Sequence, residues 1–507
     1  MKVLAMYLPQ FHQVKENDEW WGKGFTDWTA VKGAECLYNG HNQPRVPLNN
    51  NYYNLLEYET MAWQAELMKK YHIDGMCMYH YWFENGRRIL EKPAENLLKW
   101  TDISMPFCFC WANETWSRTW KKLSDTNAWS SVYENKNANA RGILLKQGYG
   151  REKDWEKHFN YLLPFFEDER YIKLDGKPVF VIYKPSKIYS LWSMMDCFSR
   201  LAKDNGLPGV YIIGMEKDLS LGLDAVCIRQ PYHAMEKCHK KYGGEKSTLS
   251  IYSYEELWNT IQAEKISTNP TYFCGFTDHD SSPRMGRNGN ITEGSSPQKF
   301  YENFKKLYHK SLATGNEFLF INAWNEWGEG MYLEPDKRNG YAYLKSLSDA
   351  IIECGNTNEF QELKSNKIYE TEDEKGMRIK KLYEWVSSRH DELLNNWMSL
   401  RDRNLNLSIY LKKYGYYKIA VYGTGKLGTH VFYELKGEEI EVAFGIDRNS
   451  ENVKYPVKVY SPEQKFPKVD AVIITVIDKY GEISKLLYEK MNSPMIPLED
   501  IIQELII

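Results

Sequence analysis

The sequence predicts an α/β protein: a (β/α)8 TIM-type barrel, then a helical linker, then a small Rossmann-like α/β domain. Three observations carry this expectation. Over residues 1–355, short apolar segments alternate with amphipathic ones, and eight of the short segments read as strands. Over 356–414 the chain turns charged and is almost free of Gly and Pro beyond Gly376. Over 415–507 a strand runs straight into a glycine-rich turn and a helical pattern.

The candidate strands of the first region are Val3–Leu8, Asp74–Tyr81, Pro106–Trp111, Val179–Tyr183, Val210–Gly214, Ala225–Arg229, Tyr272–Phe276 and Phe318–Asn322. Candidate helices between and after them include Glu57–Tyr71, Lys153–Glu167, Leu191–Asn205, Tyr254–Ile266, Pro297–Thr314 and Tyr341–Cys354. Apolar strands without polar alternation are buried on both faces, as in a parallel sheet covered by helices. Eight such repeats in about 350 residues suit a barrel with insertions; a doubly wound open sheet is the alternative.

In the linker, Tyr383, Val386, His390, Leu393, Trp397, Leu400, Asn404, Leu407 and Leu411 recur at alternating spacings of three and four. The stripe reads as a long helix packing on its own barrel. The competing reading is a homodimer through the 376–411 helix, with Asn404 setting the register.

In the last region Lys418–Tyr422 is a candidate strand that enters Gly423-Thr-Gly-Lys-Leu-Gly428. A second strand, Glu441–Ile446, ends at Asp447, and Asp470–Val476 is a third. Gly423, Gly425 and Gly428 would let the backbone approach a pyrophosphate at a helix N-terminus, and Asp447 would take a ribose hydroxyl. The expected ligand is a nucleotide or nucleotide sugar; a glycine turn without ligand is the competing reading. About 90 residues hold one mononucleotide half, so NAD redox chemistry is not expected.

Composition narrows the function classes. With 507 residues, 43% hydrophobic and 26% charged, the chain is an ordinary globular protein of about two domains. A net charge of -3 gives no electrostatic basis for binding nucleic acid or an anionic membrane. Nine cysteines form no CxxC pair, which fits buried thiols in a reducing compartment rather than disulfides or zinc. The N-terminal apolar run, ended by Pro9, is too short for a signal peptide, and no segment suits a membrane span. The expected location is the cytoplasm.

The richest segment is Glu317–Glu334, EFLFINAWNEWGEGMYLE. A buried strand ends in Trp324, Asn325, Glu326, Trp327 and Glu329, with Gly328 and Gly330 as turn residues. Catalytic groups of a barrel sit at strand C-terminal ends. On a helical turn, acids three apart share a face; the more desolvated one keeps its proton while the other stays ionised. Glycoside chemistry needs that asymmetry, and indoles offer an apolar face to a sugar ring. The bland alternative is a solvated loop with two incidental glutamates.

Other strand ends repeat the theme with Tyr7, Gln10 and His12; Tyr79, His80 and Trp82; Trp111, Asn113 and Glu114; Tyr183; and Gln230. Glu216 and Asp278-His279-Asp280 follow two further strands. The first five groups, together with Trp324, Asn325 and Trp327, are the candidate substrate contacts. Scattered histidines without ligand spacing give no expectation of a metal.

The blocks YLPQFHQVKENDEWWGKGFTDWTAV, GHNQPRVPL, IDGMCMYHYWF, PFCFCWANETWSRTW and FLFINAWNEWGEGMYLEPD resemble the WbsX-like family of surface-polysaccharide biosynthesis. That family is similar in fold to glycoside hydrolase family 99, the endo-α-mannosidases and mannanases. The resemblance covers residues 1 to about 350 and implies a barrel with its site at the strand C-terminal ends. It further implies Glu326 as base and Glu329 as acid, in a retaining reaction through a 1,2-anhydro sugar that needs no cofactor. The expected function is a glycosyltransferase acting on a glycan or lipid-linked oligosaccharide. The alternatives are a retaining hydrolase and a non-catalytic glycan-binding protein.

Overall fold

The computed structural model describes the chain except residues 118–142, 189, 217–222, 243–247, 266–269, 356–379, 381–386, 388–389, 478–482, 484–485, 488–489, 492 and 507. Contacts divide it into two compact units, one built on the N-terminal strands and one on the C-terminal strands.

Eight parallel strands form the first unit: β1 (Lys2–Tyr7), β2 (Gly75–His80), β3 (Phe107–Trp111), β4 (Lys177–Ile182), β5 (Tyr211–Gly214), β6 (Ala225–Cys227), β7 and β8 (Phe318–Asn322). β7 consists of Thr271–Tyr272 and Cys274–Phe276, interrupted at Phe273. Its first part pairs with β6 and its second with β8, while β8 pairs with β1. The ring therefore closes, and each strand lies on a segment that the sequence marks as apolar. Phe320 N donates to Phe273 O at 2.9 Å, so the interruption does not open the wall.

Burial explains the missing polar alternation: every residue of β3 and of β8 is buried. Both faces of these strands are apolar because one faces the barrel interior and the other the helices. The helices are α1 (Tyr58–Lys70), α2 (Lys92–Lys99), α3 (Glu152–Glu167), α4 (Leu191–Asp204), α5 (Tyr254–Ala263), α6 (Pro297–Ala313) and α7 (Ala342–Gly355). Local chemistry sets their starts. Ser296 Oγ accepts from Lys299 N at 3.2 Å, with Pro297 in the first turn, and Ser253 Oγ accepts from Glu256 N at 3.3 Å.

The second unit holds a five-stranded parallel sheet: β9 (Lys418–Tyr422), β10 (Glu441–Ile446), β11 (Val459–Tyr460), β12 (Ala471–Ile474) and β13 (Met495–Pro497), in the order β11-β10-β9-β12-β13. Doubly wound sheets place their first five strands in this order.

The linker stripe differs from its expectation. Tyr383 and Val386 lie outside the described residues. Leu393, Trp397, Leu400, Leu407 and Leu411 are buried against Ile419, Val421, Leu427 and Val431, in the core of the second unit rather than on the barrel. Asn404 sets no register: at φ 55° it occupies the left-handed region, in a turn before the helix that restarts at Leu407. No continuous 376–411 helix exists among the described residues, and the stripe's apolar side chains are used within the chain. Among the described residues no helix is long and apolar enough to cross a membrane.

Candidate active site

Past β8, Asn325–Glu326 pairs antiparallel with Met331–Tyr332, and a single 3-10 turn, Trp327–Glu329, joins them. The acids sit on a tight hairpin instead of an α-helical face. Asn325 locks the hairpin to the end of β1: its Oδ1 accepts from Leu8 N at 2.7 Å and its Nδ2 donates to Leu8 O at 3.0 Å. Gly330 stands at φ 66°, where glycine carries no Cβ penalty. Gly328 is required by crowding, because a Cβ there would lie 2.5 Å from Arg284 Nε and 2.7 Å from Asp27 Oδ2.

Arg284 organises the two acids. It lies on the short helix Ser282–Met285, and only 8% of its side chain is exposed. Its Nη2 donates to Glu326 Oε2 at 3.0 Å and its Nη1 to Glu329 Oε1 at 2.9 Å. Asp27, at the start of the helix Asp27–Lys32, takes Nε and Nη2 at 3.1 Å each. Asp27 Oδ2 also accepts from Gly328 N at 3.2 Å, so the same carboxylate fixes the cation and the turn. Three carboxyl groups thus share one guanidinium.

That imbalance separates the pair. Burial pushes Glu326 up to about 8; Arg284 opposes the shift, and the negative charges of Glu329 and Asp27 reinforce it. Burial also pushes Glu329 upward, but Arg284, His279, Arg229 and a hydrogen bond from Tyr232 outweigh it and hold Glu329 below the usual range. Tyr232 OH donates to Glu329 Oε2. Burial favours the protonated form of Glu326, and the surrounding cations and the Tyr232 hydroxyl favour the ionised form of Glu329.

The loop containing GHNQPRVPL braces the hairpin from behind. Arg45 Nη2 donates to Asp278 Oδ2 at 2.9 Å and Nη1 to Gly330 O at 3.0 Å. His41 Nε2 and Gln43 Nε2 reach Asp280 Oδ2 at 2.8 and 2.7 Å, and Asp280 N donates to Glu329 O at 2.7 Å. Asp278 and Asp280 therefore anchor the hairpin.

A sequence model of the family described as Glycosyltransferase WbsX matches residues 3–347. The chain belongs to this family. It is 29% identical over 360 residues to the uncharacterized protein WxcX of Xanthomonas campestris pv. campestris, in strains B100 and ATCC 33913 alike. The match covers 69% of this chain and 49% of each relative, so the chain spans about half the length of the curated relatives it matches. Among solved structures it is similar to the GH99 endo-alpha-mannosidase of Bacteroides thetaiotaomicron, with 14% identity, a TM-score of 0.42, and coverage of 70% of this chain and 97% of that one. A glycoside hydrolase-like protein gives 14% identity and a TM-score of 0.43, covering 69% and 93%.

In this WbsX-family chain the other candidate contacts fall into two groups. Tyr79 and Tyr183 belong to the mouth around the acids: their rings meet edge to face at 6.3 Å, and Tyr79 is within electrostatic reach of Glu326. Glu114 is exposed and acts electrostatically on Tyr183.

The remaining candidates make contacts within the chain or are buried. Tyr7, 0% exposed, donates to Gln64 Oε1 at 2.8 Å inside the barrel. Gln10 accepts from Asp27 N at 3.0 Å through its backbone carbonyl, and His12 is buried. His80 bonds His158 at 2.9 Å, Trp82 stacks on His158 at 4.4 Å, and Trp111 Nε1 donates to Trp82 O at 3.0 Å. Asn113 bonds the Lys184 backbone through Nδ2 and Oδ1 and also donates from Nδ2 to the Tyr149 hydroxyl, and Gln230 Oε1 accepts from Ala234 N.

Trp324 and Trp327, expected as sugar platforms, are 0% and 1% exposed. Trp327 stacks on Tyr332 at 3.7 Å and donates to Glu334 Oε2 at 2.7 Å. Neither indole presents a face to a ligand here. They support the hairpin from within.

Asp27, Arg229, Tyr232 and Arg284 belong to the site, and nothing in the linear pattern singles them out. Arg229 and Tyr232 flank Gln230 at the end of the sixth candidate strand, which was the available signal. In the second unit Gly423 stands at φ 86°, and a Cβ on Gly428 would meet Gly423 O at 2.2 Å. Asp447 Oδ2 accepts from Thr424 N at 2.9 Å and Thr424 Oγ1 at 3.0 Å, and its Oδ1 accepts from Asn449 N at 2.9 Å. No group of His, Cys, Asp and Glu suited to a metal ion occurs among the described residues.

Proposed function

We propose that the chain is a glycosyltransferase of surface-polysaccharide biosynthesis whose paired acids, Glu326 and Glu329, act at a glycosidic bond. The observation that carries this reading is the Arg284 clamp, which binds both carboxyl groups at the C-terminal mouth of the barrel. A protonated and an ionised carboxyl group in one site supply the acid and the base that making or breaking an acetal needs. The acceptor is a glycan or lipid-linked oligosaccharide, and the donor is a nucleotide sugar for which the glycine turn of the second unit is the candidate seat.

The opposite pKa shifts of Glu326 and Glu329 run counter to the role order implied by the family 99 resemblance. With Glu326 as base and Glu329 as acid, a proton has to pass from Glu326 to Glu329 before the bond breaks. With Glu326 as acid and Glu329 as base, none does, and we adopt this second order. A retaining hydrolase acting through a 1,2-anhydro sugar is the second reading, favoured by the acid pair itself because it requires no nucleotide.

The test is a product assay of wild type and Glu329→Gln on lipid-linked and free oligosaccharides, with and without nucleotide sugars. Elongation that depends on nucleotide sugar and disappears in Glu329→Gln is the expected result. Free reducing sugar released without nucleotide replaces the transferase reading with the hydrolase one. Unchanged function with both glutamates replaced by glutamine leaves only a glycan-binding role.

A further inference from the structure

Arg229 follows β6 at the mouth of the barrel. Its guanidinium lies 4.4 Å from the ring centre of Tyr183 and 3.9 Å from that of Tyr232. Two aromatic faces hold the plane of the group and leave its N–H edge as the direction for ligands. Among the described residues this guanidinium forms no ion pair and no hydrogen bond, and its Nε is buried without a partner. The two other arginines of the mouth differ: Arg45 is bound to Asp278, and Arg284 to Asp27, Glu326 and Glu329. Arg229 is half-buried, and Glu329 acts on it only electrostatically, from beyond hydrogen-bond distance, so stacking on tyrosines leaves the hydrogen-bonding capacity of the guanidinium unused.

A second orphan lies beside it. His279 is 0% exposed, meets Tyr232 edge to face at 5.3 Å, and has both ring nitrogens without partners. Tyr232 is common to all of this, because its hydroxyl binds Glu329 while its ring carries Arg229. An anion on Arg229 would therefore sit next to the sugar being transformed.

We infer that Arg229 seats an acidic group of the substrate, the carboxylate of a uronic acid or the phosphate of a glycosyl phosphate, beside the Glu326–Glu329 pair. This rests on the carbohydrate reading of that pair. The planar fork of arginine matches both oxyanions in a two-point contact that lysine cannot reproduce.

Titration calorimetry on the full chain tests the inference with D-glucuronate, D-glucose 1-phosphate, D-glucose and inorganic phosphate. Expected is about 10- to 100-fold tighter binding of at least one acidic sugar than of glucose, the range for one charge-assisted contact. Arg229→Gln abolishes that preference and Arg229→Lys restores only part of it, each variant being checked for a wild-type melting temperature. Glucuronate as the preferred sugar assigns the seat to a ring carboxylate; glucose 1-phosphate, helped by competition from inorganic phosphate, assigns it to a phosphate. Equal binding of acidic and neutral sugars, no binding of either acid, or a preference that survives Arg229→Gln overturns the inference. Because binding is read without turnover, that failure is distinct from failure of the Glu329→Gln product assay.

Discussion

Arg284 Nη2 lies 3.0 Å from Glu326 Oε2, yet Glu326 is the member of the pair that keeps its proton. The same guanidinium also faces Asp27 and Glu329, and one positive charge cannot balance three negative ones in a buried site. Glu326 is the group left neutral, which gives the clamp its chemical meaning.

Arg284→Gln should therefore raise the affinity of Glu329 for its proton and scatter the pair. Breaking a buried charge cluster by removing one partner costs about 3–5 kcal/mol. Arg284→Gln is expected to lower Tm by several degrees and kcat by two orders of magnitude or more. Arg284→Lys keeps a charge but cannot reach three carboxyl groups at once, so it should recover stability more than activity. Thermal melts and turnover on the same samples check both.

The raised pKa of Glu326 also sets a pH dependence. An unfolded glutamic acid has lost its proton above about 4.3, whereas the folded Glu326 keeps its proton up to about 8. The native state binds more protons across that window, so this residue's contribution to stability declines as pH rises from 4.3 to about 8 and is flat above it. Glu329, shifted the other way, contributes stability above pH 4.3 that is lost as pH falls through its own lower folded value. Glu326→Gln should remove the decline on the alkaline side and leave the acid-side loss in place, as read from Tm between about pH 2 and 9. With Glu326 as the acid, wild-type kcat/KM should fall about tenfold per pH unit above its pKa. A flat alkaline limb would return the acid role to Glu329.

Gly328→Ala tests the crowding behind the clamp. Its Cβ would meet Arg284 Nε at 2.5 Å and Asp27 Oδ2 at 2.7 Å, and the two side chains are held together by the Nε–Oδ1 and Nη2–Oδ2 hydrogen bonds. Overpacking of this kind costs about 1–3 kcal/mol. The variant should fold with a modestly lowered Tm but lose most of its activity, because relief comes from displacing Arg284. Activity within twofold of wild type would show that the clamp tolerates movement.

The eight strands were legible because burial on both faces strips them of polar residues, and that pattern survives in one dimension. The acid pair was legible because it follows the last strand directly. Arg284 was not: it comes from a separate loop, and its partners Asp27 and Glu326 are 257 and 42 residues away in sequence. Trp324 and Trp327 misled for the opposite reason. Indoles beside carboxylates read alike whether they face a ligand or a core, and only packing against Tyr332 and Glu334 decides. The linker stripe likewise carries its periodicity into the turn at Asn404, where a left-handed residue ends the helix without disturbing the apolar spacing.

The last prediction separates two reasons for the glycines of the second unit. Gly423 is explained by its left-handed φ of 86°, and Gly428 by the carbonyl of Gly423 that a Cβ would strike, so neither requires a ligand. Asp447 is explained by closing the turn through Thr424 and Asn449; removing its carboxylate should destabilise the unit by about 1–3 kcal/mol. Gly425 alone has open space around its Cβ position and a negative φ of -66°. It is the N-cap of the helix Lys426–Leu435, where glycine is preferred to alanine, and a close approach by a ligand would be a second reason for it to be glycine. Gly425→Ala should lower Tm only slightly, by the difference between glycine and alanine at an N-cap. If the turn binds a nucleotide, the substitution should also abolish the upward thermal shift that nucleotides or nucleotide sugars produce in the wild type. The absence of any shift in the wild type, or an equal shift in Gly425→Ala, would leave the glycine turn a purely structural device.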